Sequence, residues 1–355
     1  MIQIILKNNN KMDKELNVID LFCGCGGLSL GFEKAGYHIL LGIDMWKDAL
    51  TTFKYNHKKS DTLCADLSKL SPDEVENAIQ GKKVDVIIGG PPCQGFSIAG
   101  KRIVDDERNT LYKSFVHMVA HFKPKAFVLE NVPNILTIGN GEVKEAIIKD
   151  FTDLGYNVVT KVLIASDYGV PQNRRRAIFV GLKEGEFDFN IPVVNHKITT
   201  EEALSDLPEE SVENLGQYTS PISCEYQRIM RVKSKGICNH EVTTHNQQTI
   251  DIISMVPDGG NYKDLPTELQ GTRKVHIAWT RLNSKKPSIT IDTGHRHHFH
   301  YKWNRVPTVR ESARIQSFPD DFVFLCSKTS QYKQVGNAVP PLMAYAIAEH
   351  LKSNL

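Results

Sequence analysis

Short apolar runs alternate with longer segments of helical period between residues 17 and 182. The apolar runs are NVIDLF, HILLGI, VDVII, KAFVLE, YNVVTKVLIA and AIFVGL. Continuous runs of this length are typical of strands that are buried on both faces. The segments LSLGFEKAGY, WKDALTTFKYN, NTLYKSFVHMVAHF and EVKEAIIKDFTDLG have the pattern of helices between them. This alternation predicts an α/β fold with a mainly parallel sheet and helices on both of its sides.

The alternation stops between about residues 183 and 283, where proline and glycine interrupt a polar stretch. Helical periodicity returns in TVRESARIQSF and in GNAVPPLMAYAIAEHL. We therefore predict an α/β domain that is interrupted by a smaller, irregular domain. The predicted boundaries are 1–184 for the first part of the α/β domain, 185–285 for the irregular domain and 286–355 for a segment that returns to the first.

The chain has 355 residues, of which 41% are hydrophobic and 24% are charged. This composition is typical of a globular protein. No apolar run approaches the roughly 18 residues that a membrane span needs, and the opening MIQIILKNNNKMDKE lacks the features of an export signal. Seven cysteines, an odd number, are scattered through a large chain and favour a reducing compartment. We expect a cytoplasmic protein that does not contact a membrane.

A glycine-rich loop follows the first predicted strand in IDLFCGCGGLSLGFEKAGY. Gly24, Gly26 and Gly27 let the backbone approach a ligand, and the helix that follows offers free N–H groups. A dinucleotide fingerprint needs a further glycine where this chain has Ser29. The loop therefore favours a nucleoside with a short amino-acid tail, such as S-adenosylmethionine, over a pyrophosphate.

Two carboxylates follow the next predicted strands. Asp44 ends the second strand, where a carboxylate accepts hydrogen bonds from ribose hydroxyls, and Asp66 follows the third. Ordinary turn glycines and helix-capping aspartates are the alternative interpretation of the loop and of these two residues. The combination with the strand order favours a nucleoside site.

The stretch GGPPCQGFSIAG places Cys93 after the apolar run VDVII, which we count as the fourth strand because a third strand is expected before Asp66. The ends of such strands form the edge where open α/β sheets bind ligands. A buried structural cysteine is the alternative. The residues around Cys93 are of types that rarely form a hydrophobic core, so a nucleophile in a loop is favoured over a buried structural thiol. These residues are Pro91, Pro92, Gln94, Gly95 and Ser97.

Further polar groups stand at the next strands. KAFVLENV places Glu130 and Asn131 at an adjacent strand end, where a carboxylate can serve as an acid, or simply cap a helix or form an ion pair. QNRRRAIFVG begins with three arginines, and strand alternation predicts that Arg174 and Arg176 point to one face and Arg175 to the other. A solvated basic run is the alternative.

A methyl donor, a thiol and an acid together suit the methylation of a ring carbon. A thiolate adds to C6 of a pyrimidine, an acid supports the ring at N3, and C5 becomes the nucleophile. Methylation of an exocyclic amine uses Asp or Asn before Pro-Pro, where this chain has Gly90. Cys93 and Glu130 fit the first chemistry.

The chain resembles the cytosine-5 DNA methyltransferases in an ordered series of motifs. These motifs are DLFCGCGGLSLGFEKAG, GGPPCQGFSIAGKR, DERNTLY, LENV, PQNRRRAIFVG, RESARIQSFPDDF and QVGNAVPPLMA, and they span most of residues 18–345. The resemblance implies a Rossmann-like, S-adenosylmethionine-dependent methyltransferase domain, with the irregular segment as the target-recognition domain.

Site residues follow from the resemblance by position. It implies that Cys93 is the nucleophile and that Glu130 contacts N3 and the exocyclic amine. It also implies that Arg176 braces the flipped base and that Arg174 helps to hold the base or a nearby phosphate. Met45 departs from the aromatic residue that many relatives have at this position, so an altered cofactor affinity is expected. The implied cofactor pocket comprises Phe22, Gly24, Cys25, Gly26, Gly27, Asp44, Met45, Asp66, Leu67, Pro92, Leu111, Asn337 and Val339.

The segment from Tyr226 to Arg305 contains thirteen Lys and Arg against six Asp and Glu, a balance that suits phosphate contacts. The sequence does not separate phosphate contacts from base contacts, and a solvated surface is the alternative for each residue. The candidates are Arg273, Lys274, Arg281, Lys285, Lys286 and Arg296.

Two clusters raise a metal interpretation. Cys23 and Cys25 form a CxC pair without a second pair at ligand spacing, and the histidine cluster HRHHFH has no carboxylate or thiol at defined spacing. We therefore expect packing roles and no metal. The histidines are His295, His297, His298 and His300.

The resemblance implies methylation at C5 of a flipped cytosine in a short site of double-stranded DNA, through a covalent Cys93–C6 adduct, with S-adenosylhomocysteine as the product. It also implies a monomeric bacterial or phage restriction-modification enzyme with a companion endonuclease. One alternative is methylation of cytosine in transfer RNA, although that branch usually has threonine at the position of Ser97 and a Cys-Phe-Thr element that this chain lacks. The other is a DNA-binding regulator without catalysis.

Overall fold

Two compact units make up the chain, and the computed structural model describes residues 15–92, 110–270, 279–294 and 298–355. The sheet unit contains the described residues up to 164 together with residues 175–192 and 343–355. The second unit contains residues 165–174 and the described residues from 193 to 342. The described residues between 286 and 342, which were predicted to return to the α/β domain, thus belong to the compact second unit, and the functional boundaries of the domains stay a prediction.

A seven-stranded sheet forms the centre of the sheet unit. Its strands are β1 (Asn17–Leu21), β2 (His38–Asp44), β3 (Asp61–Cys64), β4 (Val86–Gly89), β5 (Ala126–Asn131), β6 (Asn157–Ile164) and β7 (Arg175–Leu182). They lie in the order β3-β2-β1-β4-β5-β7-β6, and β7 alone runs antiparallel to its neighbours in this sheet. The prediction of an α/β fold with a mainly parallel sheet is confirmed.

Helices alternate with the strands of the sheet unit. They are α1 (Gly27–Lys34), α2 (Lys47–Asn56), α3 (Pro72–Ala78), α4 (Thr110–Phe122) and α5 (Glu142–Asp153). Phe127 of β5 stacks on Phe151 of α5 with ring centroids 4.0 Å apart, and Phe115 of α4 packs against both rings. This aromatic cluster fixes β5, which carries Glu130 at its end.

Short helices dominate the second unit. They are α6 (Thr200–Leu204), α7 (Glu225–Arg231), α8 (Gln247–Met255), α9 (Thr267–Gln270), α10 (Val309–Ile315) and α11 (Lys328–Asn337), with the short strands β8 (Thr280–Arg281) and β9 (His298–Phe299). Between residues 183 and 283 no described helix exceeds nine residues, so the helical period is too brief to recognise in the sequence.

The last predicted helix, GNAVPPLMAYAIAEHL, begins later than predicted, and its first residues, Gly336 and Asn337, instead end α11. Helix α11 ends at Asn337, and α12 (Pro341–Lys352) begins after Pro340, because proline lacks an N–H group and disfavours helical geometry in the residue before it. Residues of α12 from Met343 onward belong to the sheet unit and pack on α1. A Cβ atom on Gly31 of α1 would lie 2.3 Å from the Cβ of Ala344, so this contact requires glycine.

A buried ion cluster organises the second unit. The guanidinium of Arg314 donates to both carboxylate oxygens of Asp320, at 2.5 and 2.6 Å, and to Asp206 Oδ1 at 3.0 Å. The side chains of all three residues are fully buried. Burial would raise the pKa of Asp320, but the charge and hydrogen bonds of Arg314, together with Arg310 and Tyr218, lower it overall. The helix of the RESARIQSF motif is thus held through Arg314.

Replacing Arg314 by methionine is expected to destabilise the second unit by about 3–5 kcal/mol, because Asp206 and Asp320 stay buried with only the weaker contacts to Arg231 and Arg310 as ion pairs. The free energy of unfolding in urea measures the loss. Lys285→Met is the control, since it removes an exposed ion pair with Glu201 and should cost less than about 1 kcal/mol. Equal midpoints for both variants would show that the cluster does not hold the unit together.

In the described part of the chain, no helix combines the length and the apolar character needed to cross a membrane.

Candidate active site

An ion pair stands at the carboxyl end of β5. Glu130 Oε1 lies 2.5 Å from Arg176 Nε, and each side chain is 13% exposed. In the ladder between β5 and β7, Glu130 is opposite Ile178, so Arg176 is its diagonal neighbour on the same face of the sheet. The register of the two strands therefore brings together two residues that were predicted to act on the same base.

Gly90 lies directly beside this ion pair. The ladder between β4 and β5 ends with Gly89 opposite Leu129, and Gly90 is the next residue. A Cβ atom on Gly90 would lie 2.9 Å from Glu130 Oε2. A larger residue before the two prolines would displace the carboxylate.

The side chain of Asn131 holds the segment that follows Gly90. Its Nδ2 donates to the carbonyl oxygen of Pro91 at 2.9 Å, and its Oδ1 accepts from the N–H of Val132 at 2.8 Å. Asn131 and Pro91 are buried, whereas Pro92 is exposed. Cys93 follows Pro92 and lies outside the described residues, so its role as nucleophile stays a prediction.

The glycine-rich loop after β1 has an unusual backbone. Phe22, Gly24 and Gly26 have φ angles of 62°, 54° and 94°, in the region that favours glycine. A Cβ atom on Gly26 would lie 2.1 Å from His57 Nε2 and 2.8 Å from a ring carbon of Phe53. Gly26 is therefore required both by its backbone angle and by the side chains behind it.

Asp44 fastens this loop to the end of β2. Its Oδ2 accepts from the N–H of Gly24 and its Oδ1 from the N–H of Trp46, each at 2.8 Å. Burial raises the pKa of Asp44, and these backbone bonds oppose the shift. Because a carboxylate oxygen has two lone pairs, each oxygen can accept a further hydrogen bond.

The other predicted cofactor residues are divided between the units. In the sheet unit, Met45 follows Asp44 and is 69% exposed. Asp66 Oδ1 accepts hydrogen bonds from the hydroxyl and the N–H of Ser68, and these bonds lower the pKa of Asp66. Gly27, Leu67, Pro92 and Leu111 also lie in the sheet unit. Asn337 ends α11 as an exposed residue, and it lies with buried Val339 in the second unit.

Arg174 differs from its sequence expectation. It precedes β7, which begins at Arg175, so strand alternation does not govern its direction. Its side chain is buried in the second unit, where the guanidinium donates to the carbonyl oxygens of Ile291 at 3.3 Å and Gly336 at 2.9 Å. These contacts are structural and give no support to the predicted catalytic role.

Arg281 likewise does not support its predicted contact with DNA. It is 6% exposed, and its guanidinium donates to the carbonyl oxygens of Val256 and Ile253 and to the side chain of Asn304. Lys285 and Lys286 are exposed, as a phosphate contact requires. The candidates Arg273, Lys274 and Arg296 lie outside the described residues.

The residues of the two metal interpretations are buried where they are described. Burial raises the pKa of Cys25 to about 12 and that of Cys23 well above its usual value. His300 is buried and accepts from two backbone N–H groups through Nδ1, and burial lowers its pKa to about 3. His298 is buried as well, and His295 and His297 lie outside the described residues.

Asp20 is a site residue that sequence reasoning missed. It lies in β1 beneath the glycine-rich loop, it is 1% exposed, and its Oδ2 accepts from the hydroxyl of Ser29 at 2.6 Å. Burial raises the pKa of Asp20 from 3.8 to about 8; the bond from Ser29 opposes this shift, and the charge of Asp44 adds to it. The signal in the sequence was a carboxylate inside the apolar run NVIDLF.

Asp20→Asn is expected to change how stability depends on pH. Because the pKa of Asp20 is higher in the folded protein than in the unfolded chain, its contribution to stability is present below about pH 4 and is lost as the pH rises to about 8. Relative to wild type, the variant should therefore gain stability between pH 5 and pH 8. Urea unfolding at several pH values measures this difference, with Asp73→Asn as an exposed control. A difference that does not vary with pH would contradict the assignment.

Comparison with known proteins agrees with this geometry. The profile of the C-5 cytosine-specific DNA methylases matches residues 16–353. The chain is 43% identical to the type II methyltransferase M1.HphI of Haemophilus parahaemolyticus, over 94% of this chain and 86% of that one. It is 38% identical to the type II methyltransferase M.DdeI of Desulfomicrobium norvegicum, over 95% and 88%.

A solved structure is also similar. It belongs to a protein described as a DNA modification methyltransferase encoded within an E. coli prophage, with a TM-score of 0.80, 28% identity, and coverage of 96% of this chain and 99% of that one. The chain therefore belongs to the C-5 cytosine-specific DNA methylase family. It is an enzyme that methylates cytosine in DNA, as the sequence motifs predicted.

Proposed function

We propose that this enzyme transfers a methyl group from S-adenosylmethionine to C5 of a cytosine that is flipped out of a short duplex DNA site, through a covalent bond between Cys93 and C6. The observation that carries the proposal is the Glu130–Arg176 ion pair at the end of β5, beside the Gly90–Pro92 segment that leads to Cys93. This arrangement supplies an acid and a cation beside the segment that precedes the predicted nucleophile.

Glu130 and Cys93 divide the chemistry at the ring. The Cys93 thiolate adds to C6, the electron pair of the C5–C6 bond becomes available at C5, and Glu130 supports the charge that develops at N3 by sharing a proton there. After C5 takes the methyl group, a base removes the C5 proton, the C6–S bond breaks, and the thiolate leaves. The ring then regains its aromatic bonding.

Arg176 has a positioning role in this proposal. Its guanidinium holds the Glu130 carboxylate by one nitrogen, at 2.5 Å, and a guanidinium has further N–H donors that can reach the cytosine carbonyl oxygen. The base must first leave the helix, at a cost of about a few kcal/mol, which contacts of this kind offset.

The glycine-rich loop fits the cofactor. Gly24 and Gly26 bring the backbone of this loop close to a ligand, the second lone pairs of Asp44 suit the ribose hydroxyls, and exposed Met45 offers a thioether to the adenine face. Asp66 completes the set, because the N–H of Ala65 donates to the carbonyl oxygen of Asp44 at 3.1 Å and so places this strand end beside β2. S-adenosylmethionine supplies the methyl group when it is bound there.

The second unit is proposed to recognise the DNA site. The excess of Lys and Arg between residues 226 and 305 supports contacts to phosphates. Lys285 and Lys286 are exposed and are candidates for these contacts. Because the similar enzymes M1.HphI and M.DdeI are type II methyltransferases, we propose that this enzyme acts, as a monomer, in a restriction-modification system with a companion endonuclease for the same site.

A labelled-methyl assay tests the proposal. The purified enzyme is incubated with methyl-labelled S-adenosylmethionine and either duplex DNA or transfer RNA, and the DNA is then analysed by bisulfite sequencing. We expect label in DNA alone and protected cytosines within one short sequence. Label confined to transfer RNA, or label in DNA without protected cytosines, would contradict the proposed function.

A further inference from the structure

We propose that Asn131 is a positioning residue for catalysis, which holds the Pro91–Pro92 segment, the residues directly before Cys93, beside the end of β5 that carries Glu130. The inference rests on the proposed function, since it takes Cys93 to be the nucleophile.

The first step concerns the two prolines. Beyond Gly89, which is opposite Leu129, the parallel ladder between β4 and β5 would need N–H donors from the β4 side. Pro91 and Pro92 have none, so the segment can be held only through its carbonyl groups or its rings. Asn131 supplies the missing donor, because its Nδ2 donates to the carbonyl oxygen of Pro91 at 2.9 Å.

The second step concerns the orientation of the amide. Asn131 is 5% exposed, and its Oδ1 accepts from the N–H of Val132 at 2.8 Å. A flipped amide would direct its NH₂ group at that N–H and its oxygen at the Pro91 carbonyl, so one orientation alone satisfies both partners. The donor that reaches Pro91 is therefore fixed in direction.

The third step links this contact to the acid. Glu130 and Asn131 are consecutive residues of β5, and they face consecutive residues of the exit from β4: Glu130 is next to Gly90, and Asn131 binds Pro91. Glu130 and the residues directly before Cys93 are thus held together by two consecutive residues of β5. Displacement of reacting groups by about 1 Å can cost about a hundredfold in rate.

Two substitutions test the role. Asn131→Ala removes the hydrogen-bond donor. Asn131→Asp keeps the size of the side chain but places a carboxylate, which cannot donate, against the carbonyl oxygen of Pro91. Both are expected to slow the attack of Cys93 on C6 by about 10- to 100-fold and to leave the Kd values for S-adenosylmethionine and DNA within about threefold of wild type. Asn134→Ala is the matched control, since it removes an exposed amide three residues away.

The attack is measured as a single turnover on a duplex that carries 5-fluorocytosine in the methylated site, with S-adenosylmethionine present. Fluorine cannot leave C5 as a proton does, so the covalent protein–DNA complex accumulates and its rate of formation can be followed on a denaturing gel. Slow formation in both Asn131 variants, with wild-type rates in Asn134→Ala, is the expected result.

Other outcomes separate this inference from the proposed function. Wild-type rates in the Asn131 variants would overturn the positioning role while leaving Cys93 as the nucleophile. Slow formation together with lost cofactor binding or a lowered Tm would show that Asn131 only stabilises the fold, and would also overturn it. Absence of the complex in the wild-type enzyme would refute the proposed function itself.

Discussion

Replacing Cys93 by serine is expected to lower the rate of methyl transfer by at least about a thousandfold, while duplex DNA still binds. A serine hydroxyl is scarcely ionised near neutral pH, whereas a thiol ionises readily and its thiolate is a strong nucleophile. Addition to C6 is the step that makes C5 reactive, so its loss stops the whole reaction. Methyl transfer is measured with labelled cofactor, and DNA binding is measured separately by gel shift.

Cys326→Ser is the control for this prediction. Cys326 is an exposed thiol of the second unit, and its replacement should leave methyl transfer unchanged. Substantial methylation by the Cys93→Ser enzyme would show that the attack on the ring does not use this thiol.

Glu130→Gln has the second-largest expected effect, a loss of about 10²- to 10⁴-fold in kcat. The amide has nearly the same shape as the carboxylic acid, but it cannot deliver a proton to N3, and it leaves the charge of Arg176 without its partner 2.5 Å away. The loss should fall on the chemical step more than on the KM for DNA, because the base still has room to enter. Rapid-quench kinetics separates the two quantities.

Glu142→Gln is the matched control for Glu130, since Glu142 is an exposed glutamate in the first turn of α5. Its kcat should equal that of the wild type. If the Glu130→Gln enzyme retained more than about a third of the wild-type rate, proton transfer by this residue would not be needed.

The sheet could be predicted because its central strands are buried on both faces. Burial of that kind leaves continuous apolar runs such as VDVII and KAFVLE, which stand out in a single sequence. In the second unit, α10 was predicted from TVRESARIQSF, but the helices between residues 200 and 270 were missed because most of them are too short to show a period. The start of α12 at Pro341 was signalled by Pro340 and Pro341, but the apolar residues on either side favoured a helix that begins at Gly336.

Within the site, the sequence indicated residues but not their contacts. Glu130 and Arg176 were predicted to act together from motifs alone, and the antiparallel register of β5 and β7 explains their proximity. Arg174 and Arg281 could not be separated from surface arginines, because burial depends on distant partners: the carbonyl groups that bind Arg174 are 117 and 162 residues away.

The central claim is that Cys93 bonds covalently to a cytosine of the target site. The most direct measurement is peptide mapping, by mass spectrometry, of the wild-type enzyme after reaction with a 5-fluorocytosine duplex and S-adenosylmethionine. The account predicts one nucleotide adduct per protein chain, on the peptide that contains Cys93. An adduct on another residue, or full methylation of ordinary DNA by an enzyme that never forms this adduct, would contradict it.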